Sequence, residues 1–211
     1  MKLDSLRNEY TYSGITRKNV AQNPFTQFNQ WMREVIDSGE KEPTAMTLST
    51  CGTDGFPHSR IVLIKFVDEE GFTFFTNYNS TKGKDIEANN AVGLHFFWSN
   101  LERQIKIVGF AEKISRELSD NYFQTRPVES QIGAWASEQS EEIQSREYLE
   151  NRFAYYRNKF ENKLIPLPPH WGGYKVKPVK IEFWQGRSSR LHDRIVYEKA
   201  SDGWDIKRLA P

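Results

Sequence analysis

The chain has 211 residues, 37% of them hydrophobic and 14% aromatic, with 29 basic and 28 acidic side chains and a single cysteine. That length and apolar content exclude compositional disorder and allow a sizeable core. The near balance of charge argues against a nucleic-acid partner or a basic membrane-surface protein, and one cysteine (Cys51) excludes an intrachain disulfide.

The first residues carry no apolar stretch of the kind that directs export, and no run approaches transmembrane length. A soluble cytoplasmic protein is the expectation. The four histidines, His58, His95, His170 and His192, lack metal-ligand spacing, so no metal is expected.

Residues 1–22 are polar and weakly patterned and read as a flexible N-terminal arm. The remainder, 23–211, reads as one domain. Asn23 can cap a helix and Pro24 suits its first position. Phe25, Phe28, Trp31, Met32, Val35 and Ile36 then recur at helical spacing, up to Gly39.

Five stretches rich in β-branched and aromatic residues follow, at 44–51, 57–67, 71–77, 91–99 and 103–114. A short helix over 80–89 separates the third from the fourth. Ser115 caps a further helix, PVESQIGAWAS holds another, and a long helix starts at Ser140. The proline- and glycine-rich segment 164–173 ends it. Three closing strands are predicted at 177–185, 190–198 and 204–209. Hairpin-linked strands with helices at the edges predict a mainly β, α+β fold: an antiparallel barrel with peripheral helices.

No dinucleotide-binding, P-loop or serine-hydrolase motif occurs. What remains is a set of cationic and hydroxyl groups at element ends. In SRIVLIK, Arg60 and Lys65 have opposite strand parity, which predicts two anion contacts on opposite sides of the sheet, or simply solvated strand ends. Ser80, Thr81 and Lys82 stand at a helix start, where backbone N–H groups favour phosphate, although an ordinary cap has the same pattern. Tyr122, Arg126 and Ser130 are four apart; either Pro127 breaks the helix and they converge around the bend, or they form an ordinary solvated helical face. Near the C-terminus, Arg190, His192 and Arg194 alternate and would share one face of a strand.

Several longer stretches carry a resemblance: RIVLIK, FTN followed by STKG, LERQ, YFQTRPVESQIGAWASEQS, PLPPHWGG, IEFWQG, RLHDR and the terminal WDIKRLAP. In this order, from about Arg7 to Pro211, they resemble the pyridoxine (pyridoxamine) 5′-phosphate oxidases. The resemblance implies an FMN-binding split β-barrel that works as a homodimer with shared active sites. It implies oxidation of pyridoxine 5′-phosphate or pyridoxamine 5′-phosphate to pyridoxal 5′-phosphate, by hydride transfer to flavin N5. O2 is the final acceptor and is reduced to H2O2.

By the same resemblance, Arg60, Ile61, Val62, Leu63, Ile64 and Lys65 form a flavin-contacting strand. Phe75, Thr76, Thr81, Lys82, Gln104, Gln139, Ser140, Trp184 and Arg194 complete the cofactor contacts. Lys65, Tyr122, Arg126 and Ser130 take the substrate phosphate, and Arg190 and His192 face its ring as the catalytic pair. Arg7 and Tyr10 belong to an N-terminal segment over the site. The chain departs from the family in having Thr81-Lys82 where two basic residues are common, and Glu42 where aspartate is common. Two other readings of the residues stand beside this one: a different split-barrel flavin reductase, and a non-catalytic carrier of flavin or of a vitamin B6 phosphate.

Overall fold

The structure, a computed structural model, describes Glu9, Tyr10 and residues 14–211. Arg7, expected near the site, lies outside the described residues. Six strands make the central body: β1 (Ala45–Cys51), β2 (Pro57–Val67), β3 (Phe72–Asn77), β4 (Ala91–Trp98), β5 (Arg103–Lys113) and β6 (Trp171–Gln185). They run in the order β3-β2-β1-β4-β5-β6, and an additional β3–β6 pairing closes the sheet into a barrel. Every pairing is antiparallel. Two further strands, β7 (Asp193–Ala200) and β8 (Gly203–Leu209), extend the sheet outward from β6. The expected antiparallel split barrel is what the chain forms.

β6 does two jobs along its length. Its first part, Trp171 to Val176, pairs with β3; its last part, Lys180 to Gln185, pairs with β7. Between them stands Pro178, which has no N–H to give a central strand. A register shift opposite Val108 and Gly109 accommodates it. A side chain at Gly109 would collide with the carbonyl of Lys177, so only glycine lets the strands approach there.

The segment 164–173, expected to end the long helix, also opens the last barrel strand, because Trp171, Gly172 and Gly173 already belong to β6. In the fold, Gly173 admits the side chains of Ile114 and Phe75, which a Cβ would meet at 2.6 and 2.9 Å. Tertiary packing therefore decides the conformation.

Helix α1 (Pro24–Asp37) is capped by Asn23, whose side chain accepts from Phe25 N at 2.8 Å. Its stripe buries Phe25, Phe28, Trp31 and Val35 against the barrel, with Phe28 edge-on to Phe72 and Trp31 edge-on to Phe183. Each such side chain contributes about 1.5–3 kcal/mol by burial. Ile36, the last residue of the expected stripe, is instead exposed. Ile15 and Val20 join the same core. The end of the expected loose arm is thus anchored: Ile15 N–H donates to Asp193, and Ala21 O accepts from the buried Tyr197 hydroxyl at 2.6 Å.

Helix α2 (Thr81–Ala88) lies between β3 and β4. A second, smaller core gathers α3 (Arg116–Gln124), α4 (Val128–Ala136) and α5 (Arg146–Lys159) around Phe123, Ile132, Ile165 and Trp171. The long helix starts at Ser145, not at Ser140. Ser145 accepts from Tyr148 N at 3.1 Å, while Ser140 adopts a left-handed backbone in a loop. The acidic residues after Ser140 have no apolar partners at helical spacing, and Glu141 instead pairs with Lys84 on α2. Among the described residues, no helix is long and apolar enough to cross a membrane, and no cluster suits a metal ion.

Candidate functional site

A cavity of about 870 Å³ opens between β2, β3, the start of α2, and the α3–α4 bend. That volume is near the upper end for small-molecule sites and leaves room for two ligands side by side. Arg60, Ile61, Val62, Leu63 and Lys65 line one wall, and Phe75, Thr76, Thr81 and Lys82 another. Tyr122, Arg126, Ser130, Gln139 and Ser140 close the opposite side.

Arg60 and Lys65 both line this cavity although strand parity holds: exposure alternates along β2, with Ile61, Leu63 and Lys65 more exposed than Arg60, Val62 and Ile64. The cavity reaches both sides of the strand, since Arg60, Ile61, Val62 and Leu63 line it in succession. Ile64, grouped with the cofactor strand by resemblance, turns its side chain into the core and is 4% exposed.

At one end, Lys82 is buried on the first turn of α2 and its ammonium donates only to Ser80 Oγ, at 3.2 Å. Burial, and then the charge of Arg60, pull its pKa down to about 8. Arg60 is itself lowered by burial. Two desolvated cations close together, beside the N-terminal N–H groups of an eight-residue helix, favour an anion.

At the other end, Arg126 lies over the Trp171 ring, 4.7 Å from its centroid. Its Nη1 is buried and has no hydrogen-bond partner among the described residues. Burial lowers its pKa, and the Tyr122 phenol only partly offsets this. Tyr122, Phe75 and Trp171 stack nearly parallel: Tyr122 and Phe75 lie 4.0 Å apart, Phe75 and Trp171 5.4 Å apart. This ladder fixes the α3–α4 bend against β3, so Tyr122, Arg126 and Ser130 converge as expected.

Sequence reasoning passed over Asn77, Gly133, Ala134 and Trp171, which also line the cavity; Ser137, which opens the SEQS stretch, lines it too. Gly133, Ala134 and Ser137 follow Ser130 at three, four and seven residues, so the helical period could have found them. Trp171 had no such signal, since it depends on the barrel closing.

The remaining candidates form a second group, outside this cavity. Phe97, Gln104, Trp184 and Arg194 are successive cross-strand partners on β4, β5, β6 and β7, so they stand in one row on one face. Gln104 also pairs with His95 Nε2 at 3.0 Å. Arg194 is held by Glu182 through two hydrogen bonds of 2.8 and 3.0 Å, so its charge is already met. Burial pushes Glu182 up, but the hydrogen bonds and charges of Arg194, Lys106 and Lys180 outweigh it and hold the carboxyl below its ordinary range.

Arg190 and His192 do not share a strand face with Arg194. Residues Ser188–Arg190 form a 3-10 turn, and β7 begins only at Asp193. Ser189 and Arg190 both have left-handed backbones, with φ of 55° and 59°. Such conformations cost about 1–3 kcal/mol each and gather at functional sites. The turn brings His192 onto Trp184, 4.6 Å between ring centroids, and Tyr10 edge-on to both. His192 Nδ1 accepts the backbone N–H of Arg187 at 3.1 Å. In the neutral ring, Nε2 therefore carries the proton. Burial, and then the charge of Arg190, lower the His192 pKa and favour that neutral form.

Beside this row, Ile61, Leu63, Phe97, Val108 and Phe110 are exposed on the barrel wall. Several large exposed apolar residues on one sheet mark an interaction surface.

Comparison with known proteins fits this arrangement. The sequence profile described as "Pyridoxamine 5'-phosphate oxidase" matches residues 32–160, and the "Pyridoxine 5'-phosphate oxidase C-terminal dimerisation region" matches residues 171–211. A pyridoxine/pyridoxamine 5′-phosphate oxidase of Nostoc punctiforme is 52% identical over 98% of this chain and 97% of its own. That of Hahella chejuensis is 50% identical over the whole of both chains. Among solved structures, PhzG from Burkholderia lata superposes with a TM-score of 0.90 at 27% identity, covering 97% of this chain and 100% of its own. An FMN-binding protein of Nostoc punctiforme, at 14% identity and a TM-score of 0.70, covers 87% of this chain and 97% of its own and shares the fold. With a matched profile over most of its length and relatives half identical from end to end, the chain belongs to the pyridoxamine 5′-phosphate oxidase family.

Proposed function

We propose that the protein oxidises pyridoxine 5′-phosphate, or pyridoxamine 5′-phosphate with uptake of water and release of ammonia, to pyridoxal 5′-phosphate, with FMN as cofactor and oxygen as final acceptor. The observation that carries this reading is excess positive charge at two places in one cavity: Lys82 with Arg60, which share the one buried carboxylate of Asp85, and Arg126, whose buried Nη1 has no partner among the described residues. Two phosphate monoesters, one on the flavin and one on the substrate, answer both. A flavin reductase acting on a substrate without phosphate leaves Arg126 buried without a partner. FMN fits on the same grounds, since its phosphate is an anion for the buried Lys82 and its ring has the cavity wall from Ile61 to Leu63 to lie along.

Bound there, FMN supplies the hydride acceptor at N5 and the route by which electrons reach oxygen, which leaves as hydrogen peroxide. The rest falls to the chain. Arg60, Lys82 and the Thr81 hydroxyl hold the flavin phosphate. Lys65, Tyr122, Arg126 and Ser130 anchor the substrate phosphate, so that remote binding energy fixes the position of the reacting carbon. The aromatic ladder under Arg126 keeps water from the anchor and strengthens it.

The working form is a homodimer. The apolar wall beside β4 and β5 is the contact, and the row of Gln104, Trp184 and Arg194, with Tyr10, Arg190 and His192, covers the cavity of the opposite subunit. Arg190 remains protonated and orients the substrate ring by charge. His192, with Nδ1 occupied by Arg187 N–H, donates from Nε2; it holds the ring and does not remove a proton.

The test is purification of the protein, a visible spectrum for bound flavin, and an assay for pyridoxal 5′-phosphate with each ester in air without nicotinamide. The expected result is flavin absorbance and turnover of at least one ester. A colourless protein, or turnover only with added nicotinamide, overturns the proposal.

A further inference from the structure

The end of the cavity at Lys82 and Arg60 is backed by a hydrogen-bonded cluster. At its centre is Asp85 on α2, 6% exposed. Its Oδ2 accepts from the Thr50 hydroxyl at 2.6 Å and pairs with His58 Nδ1 at 2.9 Å; Arg60 Nη2 stands 3.6 Å away. Thr50, 2% exposed, also accepts from Arg60 Nη1 at 2.7 Å. The same Nη1 donates to the carbonyl of His58 at 2.9 Å. His58 Nε2 is met at 3.1 Å by Asp54 in the β1–β2 turn. The charged and titratable groups around the carboxylate are therefore Arg60 and His58 from β2, Asp54 from the turn and Lys82 from its own helix.

One carboxylate thus stands against two desolvated cations, and one hydroxyl bridges it to the guanidinium. We propose that Asp85 is a positioning residue for anion binding at this end of the cavity, acting through Arg60 and as the counter-charge of Lys82. The inference rests on the reading of this end as the flavin phosphate site. Beside Lys82 the helix start presents Thr81, which has a hydroxyl and no charge, so the orientation of Arg60 carries more of the grip.

The direction of the effect follows from charge and geometry together. The Asp85 and Asp54 carboxylates stand against Arg60, Lys82 and His58; both ring nitrogens of His58 meet carboxylates, Asp85 foremost, which raises its pKa and favours the charged ring. Removing the Asp85 carboxylate leaves Lys82 facing Arg60 without that compensation, and the pull by which Asp85 favours protonated Lys82 is lost. Arg60 keeps the Thr50 hydroxyl and the His58 carbonyl but loses the carboxylate that orients both, and Lys82 holds its charge less firmly.

The experiment titrates flavin-free protein with FMN and with riboflavin, which lacks the phosphate, and follows flavin fluorescence. Asp85→Asn and the near-isosteric Thr50→Val are compared with the parent, with thermal melts alongside. Both variants are expected to raise the Kd for FMN about tenfold, the scale of one charge-assisted hydrogen bond, and to leave that for riboflavin within about twofold. Asp85→Glu is expected to recover part of the loss. If the parent prefers FMN and the folded variants keep the same FMN-to-riboflavin ratio, the positioning role is wrong. Equal weakening of both ligands also overturns it, since that is a structural effect. Should Asp85→Asn fail to fold, Thr50→Val decides alone. If the parent itself does not distinguish FMN from riboflavin, the phosphate-site reading fails first and the inference falls with it.

Discussion

Replacing Arg126 by methionine separates binding from stability more sharply than any other change in this protein. The guanidinium is buried over Trp171, carries an unmet Nη1 and has no acidic partner near it. An unsatisfied buried donor costs about 1–3 kcal/mol, and the cation–π contact returns about 0.5–2 kcal/mol. Methionine keeps most of the volume and the contact with the aromatic ladder, so the two terms nearly cancel. The melting temperature is expected to move by no more than about 2–4 °C, the shift that 1 kcal/mol produces in a chain of this size. Substrate binding tells a different story. One hydrogen bond from a charged donor to a phosphate is worth about 1.5–3 kcal/mol, so KM for pyridoxine 5′-phosphate rises about 10- to 150-fold. Steady-state assays with the phosphate ester and with unphosphorylated pyridoxine supply the control: the variant loses its preference for the ester. An unchanged KM, or a melting point lower by more than 10 °C or so, refutes the reasoning, because Arg126 would then be a structural cation and not an anion anchor.

Four further outcomes follow from the same geometry. His192→Gln, which keeps a side-chain N–H, is expected to retain about ten times more turnover than His192→Leu, with FMN bound to both; equal loss argues for proton removal by the ring. FMN affinity is expected to fall as pH rises through about 8, where buried Lys82 loses its charge, and this limb is absent in Lys82→Met. A titration without that break assigns the charge elsewhere. Mixing Arg126→Met and His192→Leu subunits under exchange, assayed at ester concentrations too low for Arg126→Met to turn over, is expected to restore about a quarter of parent activity, since half the dimers are mixed and one site in each is intact. No recovery means that each subunit works alone. Asp193→Ala removes the acceptor of Ile15 N–H and the partner of Arg187 and Arg208, and is expected to cost about 3 kcal/mol in urea unfolding. A loss under 1 kcal/mol or so would show that this buried carboxylate does not anchor the N-terminal segment.

Strands β1 to β5 were legible because runs such as RIVLIKFV and FTFFTN have no other use in a fold of this size. Helix α1 was legible from its period and its cap. What the residues alone hid were effects that begin only when distant segments meet. Trp171 and Gly173 look like loop until β3 and Ile114 pack on them. Parity put Arg60 and Lys65 on opposite sides of β2, and only the fold shows one cavity that reaches both. The alternation of Arg190, His192 and Arg194 looked like a strand, yet left-handed residues at 189 and 190 break it and put the imidazole on Trp184. The row from Phe97 to Arg194 is set by pairing across four strands, and no local pattern announces it. The motif resemblance named most of these residues, but it did not say that they divide between two surfaces.

The double pairing of β6 also has a consequence for how the chain is made. The barrel has a seam: Phe72 to Asn77 wait for partners that are translated only from Trp171 onward. Until the ribosome has delivered them, the nascent chain holds β1 to β5 with both outer edges bare and Phe74 without Tyr174, the ring that packs on it in the closed barrel. Open edges of this kind pair with whatever strand they meet. A message cut short before codon 171 therefore does not yield a protein missing a wing. It yields an unclosed vessel, and its fate is set by chaperones and proteases before any flavin arrives.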